Sequence, residues 1–244
     1  MLGYGDVTVA DAKTRAKDLL KQRSVLARCP ANVLDDIVRR GSVVRHARGE
    51  TIYSQGSPGD SLIVLLSGSL KITNVTTDAR EVVLGFAKPG ALIGEIAVLD
   101  GSPRSADVVA LEATEAFVIY RRDLMPILRS NPEATFALVE GLCSMIRATN
   151  ARVESQGMQT QARCAACLVN LVQQHGREAG EHSVVIDLKI TQRDLGNFLG
   201  LTRETVSRTL SEFKESGLIE TKGNSIVVLD LDGLQEIAET EREG

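Results

Sequence analysis

Nowhere in this chain of 244 residues does an apolar run approach the ~20 residues that a membrane-spanning helix needs. Met1 to Ala10 shows no basic segment followed by an apolar block, so no secretory leader is visible. The expected location is the cytoplasm, with no membrane partner. Histidine is scarce, with His46, His175 and His182 the whole supply. Only His46 falls among the β-rich segments. That excludes a metal-dependent β-roll enzyme of the cupin kind, whose ion needs clustered histidines with an acidic partner. A Ser-His-Asp pattern and a phosphate-binding loop for nucleoside triphosphates are missing too. The chain is expected to be no enzyme and to hold no metal.

Cysteine is equally sparse. The four are Cys29, Cys143, Cys164 and Cys167, and only Cys164-Ala-Ala-Cys167 has a redox-like or metal-like spacing. It lacks a second Cys or His cluster, and it lies in a run, Thr160 to Val172, that reads as helix. There Cys164, Cys167, Leu168 and Leu171 share one face, so the pair reads as small core residues. Cys29 stands alone near the N-terminus, which excludes a cysteine-ligated iron–sulfur cluster in that region.

An excess of positive charge is also missing: the formal net charge is −4. Its distribution is uneven. Asp230, Asp232, Glu236, Glu239, Glu241 and Glu243 face Arg242 alone in the last fifteen residues. The rest is close to neutral, so a nucleic-acid surface must be locally basic. The tail itself reads as a solvated helix.

What is present falls into four segments. Residues 1–30 are a polar helical segment, with Leu19, Leu20, Val25 and Leu26 at helical spacing. Residues 31–130 hold short β-rich runs: Val43-Val44, Thr51 to Tyr53, Ser61 to Leu66, Leu70 to Val75, Val82 to Phe86, Asp107 to Leu111 and Ala116 to Tyr120. Turn signals separate them at roughly eight- to twelve-residue spacing, the mark of an antiparallel sandwich or barrel. Residues 131–157 begin with Asn131-Pro132, a helix start. Phe136, Val139, Leu142, Cys143, Ile146, Thr149, Asn150 and Val153 then recur at threes and fours. So narrow an apolar seam on so long a helix predicts pairing with a second copy of the chain, and Gly157 reads as a hinge. Residues 158–244 combine a helix, a β-segment (Ser183 to Leu188), two short helices and a hairpin.

Those two short helices carry the first strong motif. Thr191 and Asp194 form a capping-box spacing. Leu195, Phe198 and Leu199 are the inner face, and Gly200 ends the helix. Thr202 caps the next one, whose buried stripe is Val206, Leu210 and Phe213. Its opposite face presents Arg203, Glu204, Ser207 and Arg208 within two turns. In a helix-turn-helix the start of the second helix enters the major groove. There arginine reads guanine through a bidentate pair, and a carboxylate accepts from cytosine. Gln192, Thr202 and Thr205 complete the expected double-stranded-DNA contacts. Lys222, in a hairpin wing with Gly223 and Asn224, is expected to touch phosphate.

The second motif is Gly94-Glu-Ile-Ala-Val-Leu-Asp-Gly-Ser-Pro-Arg-Ser-Ala106. Gly94 permits close backbone approach, and Glu95 to Leu99 reads as one short helical turn with free N–H groups suited to an anion. Arg104 supplies a fixed positive fork and Ser105 a hydroxyl donor. Glu95 suits a ribose hydroxyl. One arginine with one carboxylate matches a singly charged cyclic phosphate on a sugar.

Over about residues 30–230 these motifs resemble the cAMP receptor protein/FNR superfamily, specifically its cyclic-nucleotide-binding branch. The resemblance implies an α+β chain: an N-terminal antiparallel β-roll, a long dimerisation helix and a C-terminal winged helix-turn-helix. It implies that Gly94, Glu95, Ile96, Arg104, Ser105 and Ala106 hold ribose and cyclic phosphate. Thr149 and Asn150 would meet the base, one from each subunit of a homodimer. Arg203, Glu204 and Arg208 would read a palindromic operator with TGTGA-type half-sites, and RNA polymerase is a further partner it suggests. Cyclic AMP is preferred on the resemblance alone. Cyclic GMP stays open, because a threonine hydroxyl and an asparagine amide both donate and accept. A polar register pin in a paired helix is the other reading of Thr149 and Asn150. The chain departs from the pattern at Asn150, a serine in the best-known members. Met145 replaces an arginine that would pair with Glu95. Ser207 beside Arg208 is the FNR-like form of the recognition helix.

Overall fold

The computed structural model describes residues 9–23, 25–180, 183–223 and 225–239. The start of the chain at Met1, His182, the wing residue Asn224 and the tail residues Glu241, Arg242 and Glu243 lie outside them. The chain divides into two compact units, Met1–Asn74 with Gly85–Ile146, and Val75–Leu84 with Arg147–Gly244.

The first unit opens with α1 (Val9–Arg23), a 3₁₀ turn (Val25–Arg28) and α2 (Ala31–Arg40). The strands follow: β1 (Ser42–His46), β2 (Thr51–Tyr53), β3 (Ser61–Ser67), β4 (Leu70–Val75), β5 (Glu81–Ala87) and β6 (Leu92–Ile93). After α3 (Glu95–Asp100) come β7 (Asp107–Ala110) and β8 (Thr114–Tyr120), then α4 (Arg121–Ser130). They form two four-stranded sheets in the orders β1-β8-β3-β6 and β2-β7-β4-β5, antiparallel in the described pairings.

The run of β3 is apolar without alternation because both of its faces are covered. Ile63 and Leu65 join Leu70, Val108, Ala110, Ala116 and Val118 in one cluster that draws on both sheets. Leu62, Val64 and Leu66 join Phe117, Ile119, Leu20, Leu34, Ile37 and Leu124 under the helices. Phe117 is fully buried, a contribution of about 1.5–3 kcal/mol by area burial. Glu115, also buried, is held by Arg15 and by Arg45 at 3.2 Å.

From Pro132 to Ser155 the chain is one helix, α5. Ala134, Ala137 and Leu138 are buried on it. Phe136, Val139, Ile146 and Val153 are exposed, as are Cys143 and Asn150. These six follow one another in alternating steps of three and four, the spacing of a paired-helix seam.

The second unit contains α6 (Thr160–His175), β9 (Gly176–Gly180), β10 (Ser183–Ile186), α7 (Gln192–Leu199), α8 (Arg203–Glu215), β11 (Ile219–Lys222), β12 (Ser225–Val228) and α9 (Leu231–Glu239). Its sheet runs β11-β12-β10-β9. The β11–β12 hairpin, with Lys222 opposite Ser225, is the wing. Cys164 and Cys167 lie on the buried face of α6 with Ala165, Leu168 and Leu171. Burial raises the Cys164 thiol to about 11 and the Cys167 thiol further still, as befits core residues. The tail helix is not simply solvated: Leu234 of α9 is fully buried and the helix packs on α6. Asp230 anchors its start by accepting from the Gly233 N–H at 2.9 Å. Segment 75–84, which takes in the end of β4 and the start of β5, belongs to this unit, where Glu81 accepts from the Asn197 side chain at 2.9 Å.

Candidate functional site

The nucleotide-type cassette is built around one buried cation. Gly94 caps α3 with φ +91°, a left-handed conformation that glycine adopts without strain. A Cβ there would lie 2.6 Å from Arg104 Nη1 and 2.9 Å from the Tyr53 ring, so the position also demands close approach. Arg104 is only 4% exposed. Its Nη1 donates to the Gly94 carbonyl at 3.2 Å and its Nη2 to Ser61 Oγ at 3.1 Å. Both acceptors are neutral, and Nε is buried without a hydrogen-bond partner among the described residues. Leaving a buried guanidinium donor unpaired is costly, so the arrangement fits an anion.

Glu95 is 7% exposed. Burial lifts its carboxyl above the usual range, against the pull of its own and Gly94's main-chain N–H groups and of Arg104. Ala106 is buried, and Ser105 and Ile96 are exposed. The main chain at Arg104 is pinned to the loop after β2: its N–H donates to Ser57 O at 2.8 Å, and its carbonyl accepts from Gly56 N–H at 2.9 Å. Tyr53 and Ser61 were not identified from the sequence. Ser61 lies 43 residues from Arg104, and neither residue belongs to the cassette motif.

On the second unit, Thr191 Oγ1 accepts from the Asp194 N–H at 3.1 Å, and Asp194 Oδ2 accepts from the Thr191 N–H at 2.9 Å. The capping box is complete. Gly200 closes α7 at φ +69°. Thr202 Oγ1 accepts from the Thr205 N–H at 3.1 Å and starts α8. Val206, Leu210 and Phe213 are buried, with Thr209 beside them. Phe198, read as an inner-face residue, is half-buried. Gln192, Arg203, Glu204, Ser207 and Arg208 converge with Ser211 around one shallow open depression. Ser211 was missed because it sits on α8 one turn after Ser207, beyond the two turns whose exposed face the sequence singles out. Lys222 is on the wing and pairs with Glu220 at 3.2 Å. Thr149 and Asn150 lie on α5 in the second unit's share of the chain, both exposed.

These features meet known proteins at both ends of the chain. The family described as Cyclic nucleotide-binding domain matches residues 43–131, and Crp-like helix-turn-helix domain matches residues 162–237. The CRP-like cAMP-activated global transcriptional regulator of Mycobacterium tuberculosis is 27% identical over 219 residues, covering 89% of this chain and 97% of that one. Transcriptional regulatory protein btr of Bordetella pertussis is 32% identical over 215 residues, covering 85% and 86%. The solved structure of FixK2 from Bradyrhizobium japonicum shares the fold, with a TM-score of 0.72 at 22% identity over 81% of this chain and 96% of that one. A cyclic-nucleotide-type β-roll, a long helix and a winged helix-turn-helix in one chain, with these relatives, place the protein in the cAMP receptor protein/FNR superfamily of DNA-binding transcriptional regulators.

Proposed function

We propose that this regulator binds its operator as a homodimer when a cyclic nucleotide occupies the β-roll. In this reading residues 31–130 receive the nucleotide, 131–157 pair the subunits, and 158–244 contact DNA. The single observation that supports it best is Arg104, buried, hydrogen-bonded to neutral groups and with its Nε unpartnered among the described residues, beside the buried carboxyl of Glu95. A cyclic phosphate is a singly charged anion attached to a ribose, and it suits that pair. Gly94, Ile96, Ser105 and Ala106 complete the pocket, and Thr149 and Asn150 meet the base from the helix seam. Cyclic AMP is the preferred ligand, as the name of the Mycobacterium tuberculosis relative says of that protein. The protein acts in the cytoplasm, with RNA polymerase as a further partner.

The exposed seam of α5 needs a cover, and a second α5 gives one. A nucleotide held at the seam favours its closed form, with the hinge near Gly157 set so that two recognition helices stand ~34–36 Å apart, one DNA turn. Moving the population from 1:99 to 99:1 takes ~5.5 kcal/mol of differential binding, shared between two sites. Arg203, Glu204 and Arg208 then read a palindrome of TGTGA-type half-sites, supported by Gln192, Thr202, Thr205, Ser207 and Lys222.

The test is calorimetric titration of cyclic AMP and cyclic GMP into wild type and Arg104→Ala, alongside gel shifts on a palindromic TGTGA duplex. Nucleotide binding lost in Arg104→Ala, with DNA affinity that rises on adding nucleotide to wild type, is the expected result. Equal DNA affinity with and without either nucleotide would leave only an unregulated DNA binder.

A further inference from the structure

Arg104 rests on two residues that lie outside the cassette motif. Its guanidinium carbon sits 3.5 Å from the centroid of the Tyr53 ring, at the end of β2. Ser61, the first residue of β3 and itself buried, accepts from Nη2 at 3.1 Å. The Tyr53 and Ser61 hydroxyls are 3.3 Å apart, so ring and hydroxyl hold one another. Between them, the loop after β2 grips the Arg104 main chain through Ser57 and Gly56. The segment from Tyr53 to Ser61 thus holds Arg104 at both ends.

The kind of support matters as much as its presence. A carboxylate under Arg104 would fix it equally well but would neutralise it and compete with an incoming phosphate. A ring face attracts the cation through its quadrupole and leaves the full charge available. A free arginine also gives up substantial rotamer freedom on gripping a ligand. One already locked by packing has lost that freedom on folding, so less is lost on binding. The missing Cβ at Gly94 belongs to the same arrangement, since it would strike both Tyr53 and Arg104.

We propose that Tyr53 is a positioning residue of the anion site: its ring face, keyed by the Ser61 hydroxyl, presets the Arg104 fork for the phosphate of the nucleotide. This rests on the reading of Arg104 as the phosphate holder. A cation–π contact of ~0.5–2 kcal/mol corresponds to a change of about 2- to 30-fold in affinity.

The experiment is calorimetric titration of cyclic AMP and cyclic GMP into wild type, Arg104→Ala, Tyr53→Phe and Tyr53→Leu, with the nucleotide-free melting temperature of each. Tyr53→Leu keeps apolar bulk and loses the ring, and its affinity should fall about 2- to 30-fold. Tyr53→Phe restores the ring and should recover affinity to within about threefold of wild type. A merely space-filling role would be served by leucine. Should Tyr53→Leu fold poorly, phenylalanines of increasing fluorination at position 53 keep the shape while draining the ring face, and affinity should decline along that series. Affinity indifferent to leucine or to fluorination, while Arg104→Ala still loses binding, overturns the role of Tyr53 alone. Wild type that binds neither nucleotide overturns the phosphate reading and this inference with it.

Discussion

The Arg152 guanidinium donates to the main-chain oxygen of Leu84 at 2.6 Å, and to that of Val83 at 3.4 Å. It also lies 5.3 Å from the centroid of the Phe198 ring, which explains why Phe198 need not be fully enclosed by its own helix pair. Burial lowers the proton affinity of Arg152, yet the fork keeps its hydrogen bonds. Segment 75–84 is therefore held to the helix-turn-helix through one side chain near the end of α5, with Glu81 and Asn197 as a second tie. Arg152→Ala should cost about 1–2 kcal/mol, a charged hydrogen bond discounted for partial exposure. Amide exchange in 75–84 should quicken, while exchange in β3 stays slow. Unaltered exchange at Val83 and Leu84 would mean segment 75–84 is held by something else.

Glu95 should make stability fall as pH rises from the acid range. Its folded-state proton affinity is raised chiefly by burial, so the native protein binds more protons than the unfolded chain above the ordinary glutamate range. Stability is greatest with the carboxyl protonated, and it is lost as pH climbs from that ordinary value through the raised one. Glu95→Gln mimics the protonated form. It should melt about 2–4 °C higher than wild type at pH 7 for each kcal/mol relieved, and the gap should close at pH 4. The same variant should bind cyclic nucleotide more weakly, because an amide is a poorer acceptor for the ribose hydroxyl. A gap that widens towards acid would reverse the sign argued here.

How far the sequence could be read depended on whether a signal was local. The capping box at Thr191 and Asp194, the cap at Thr202 and the stop at Gly200 are all settled within a few residues. The structure places α7 and α8 at those signals. The apolar run of β3 likewise announced a strand, and the structure adds that both of its faces are covered. Two strands escaped notice. Leu92–Ile93 is two residues long and forms only through pairing with Ile63 and Val64. Gly176–Gly180 is exposed throughout and poor in β-favouring side chains, so it is a strand only because β10 lies beside it. Within the cassette, Gly94, Glu95 and Arg104 were legible as a motif. Tyr53 and Ser61 were not, because what matters is a ring and a hydroxyl brought under a distant arginine by sheet topology. The tail was misjudged for a similar reason. Its composition is acidic, and composition says nothing of the one leucine, Leu234, that docks it.

On the recognition helix, Arg208 is nearly unencumbered. Among the described residues its ionic tie is to Glu212, at 4.0 Å with both side chains well exposed, a pair of little energetic weight. The guanidinium can leave it for the edge of a guanine. Arg208→Ala should reduce discrimination between a matched and a guanine-substituted duplex by ~1–3 kcal/mol. Glu212→Gln should change it by less than about 0.5 kcal/mol. Competition gel shifts at fixed salt measure both. Equal discrimination by wild type and Arg208→Ala would move base reading away from this face.

The seam of α5 makes a prediction about chemistry as well as assembly. Cys143 is exposed on it, in register with Phe136, Val139, Ile146, Asn150 and Val153. In a parallel pair of helices a seam residue lies opposite its own copy. The Cα separation there falls in the ~4.4–6.8 Å range that a disulfide bridges. The other cysteines are poor competitors. Cys29 and Cys164 are buried with thiols raised to about 11, and Cys167 is pushed further still. At pH 8 they carry almost none of the reactive thiolate. Mild oxidation of the native protein should therefore give a covalent dimer through Cys143 alone, seen on a non-reducing gel. Cys143→Ser should remain monomeric there while eluting as a dimer by size exclusion. An antiparallel or face-to-back assembly would keep the two Cys143 sulfurs apart, and oxidation would then leave the chains unlinked.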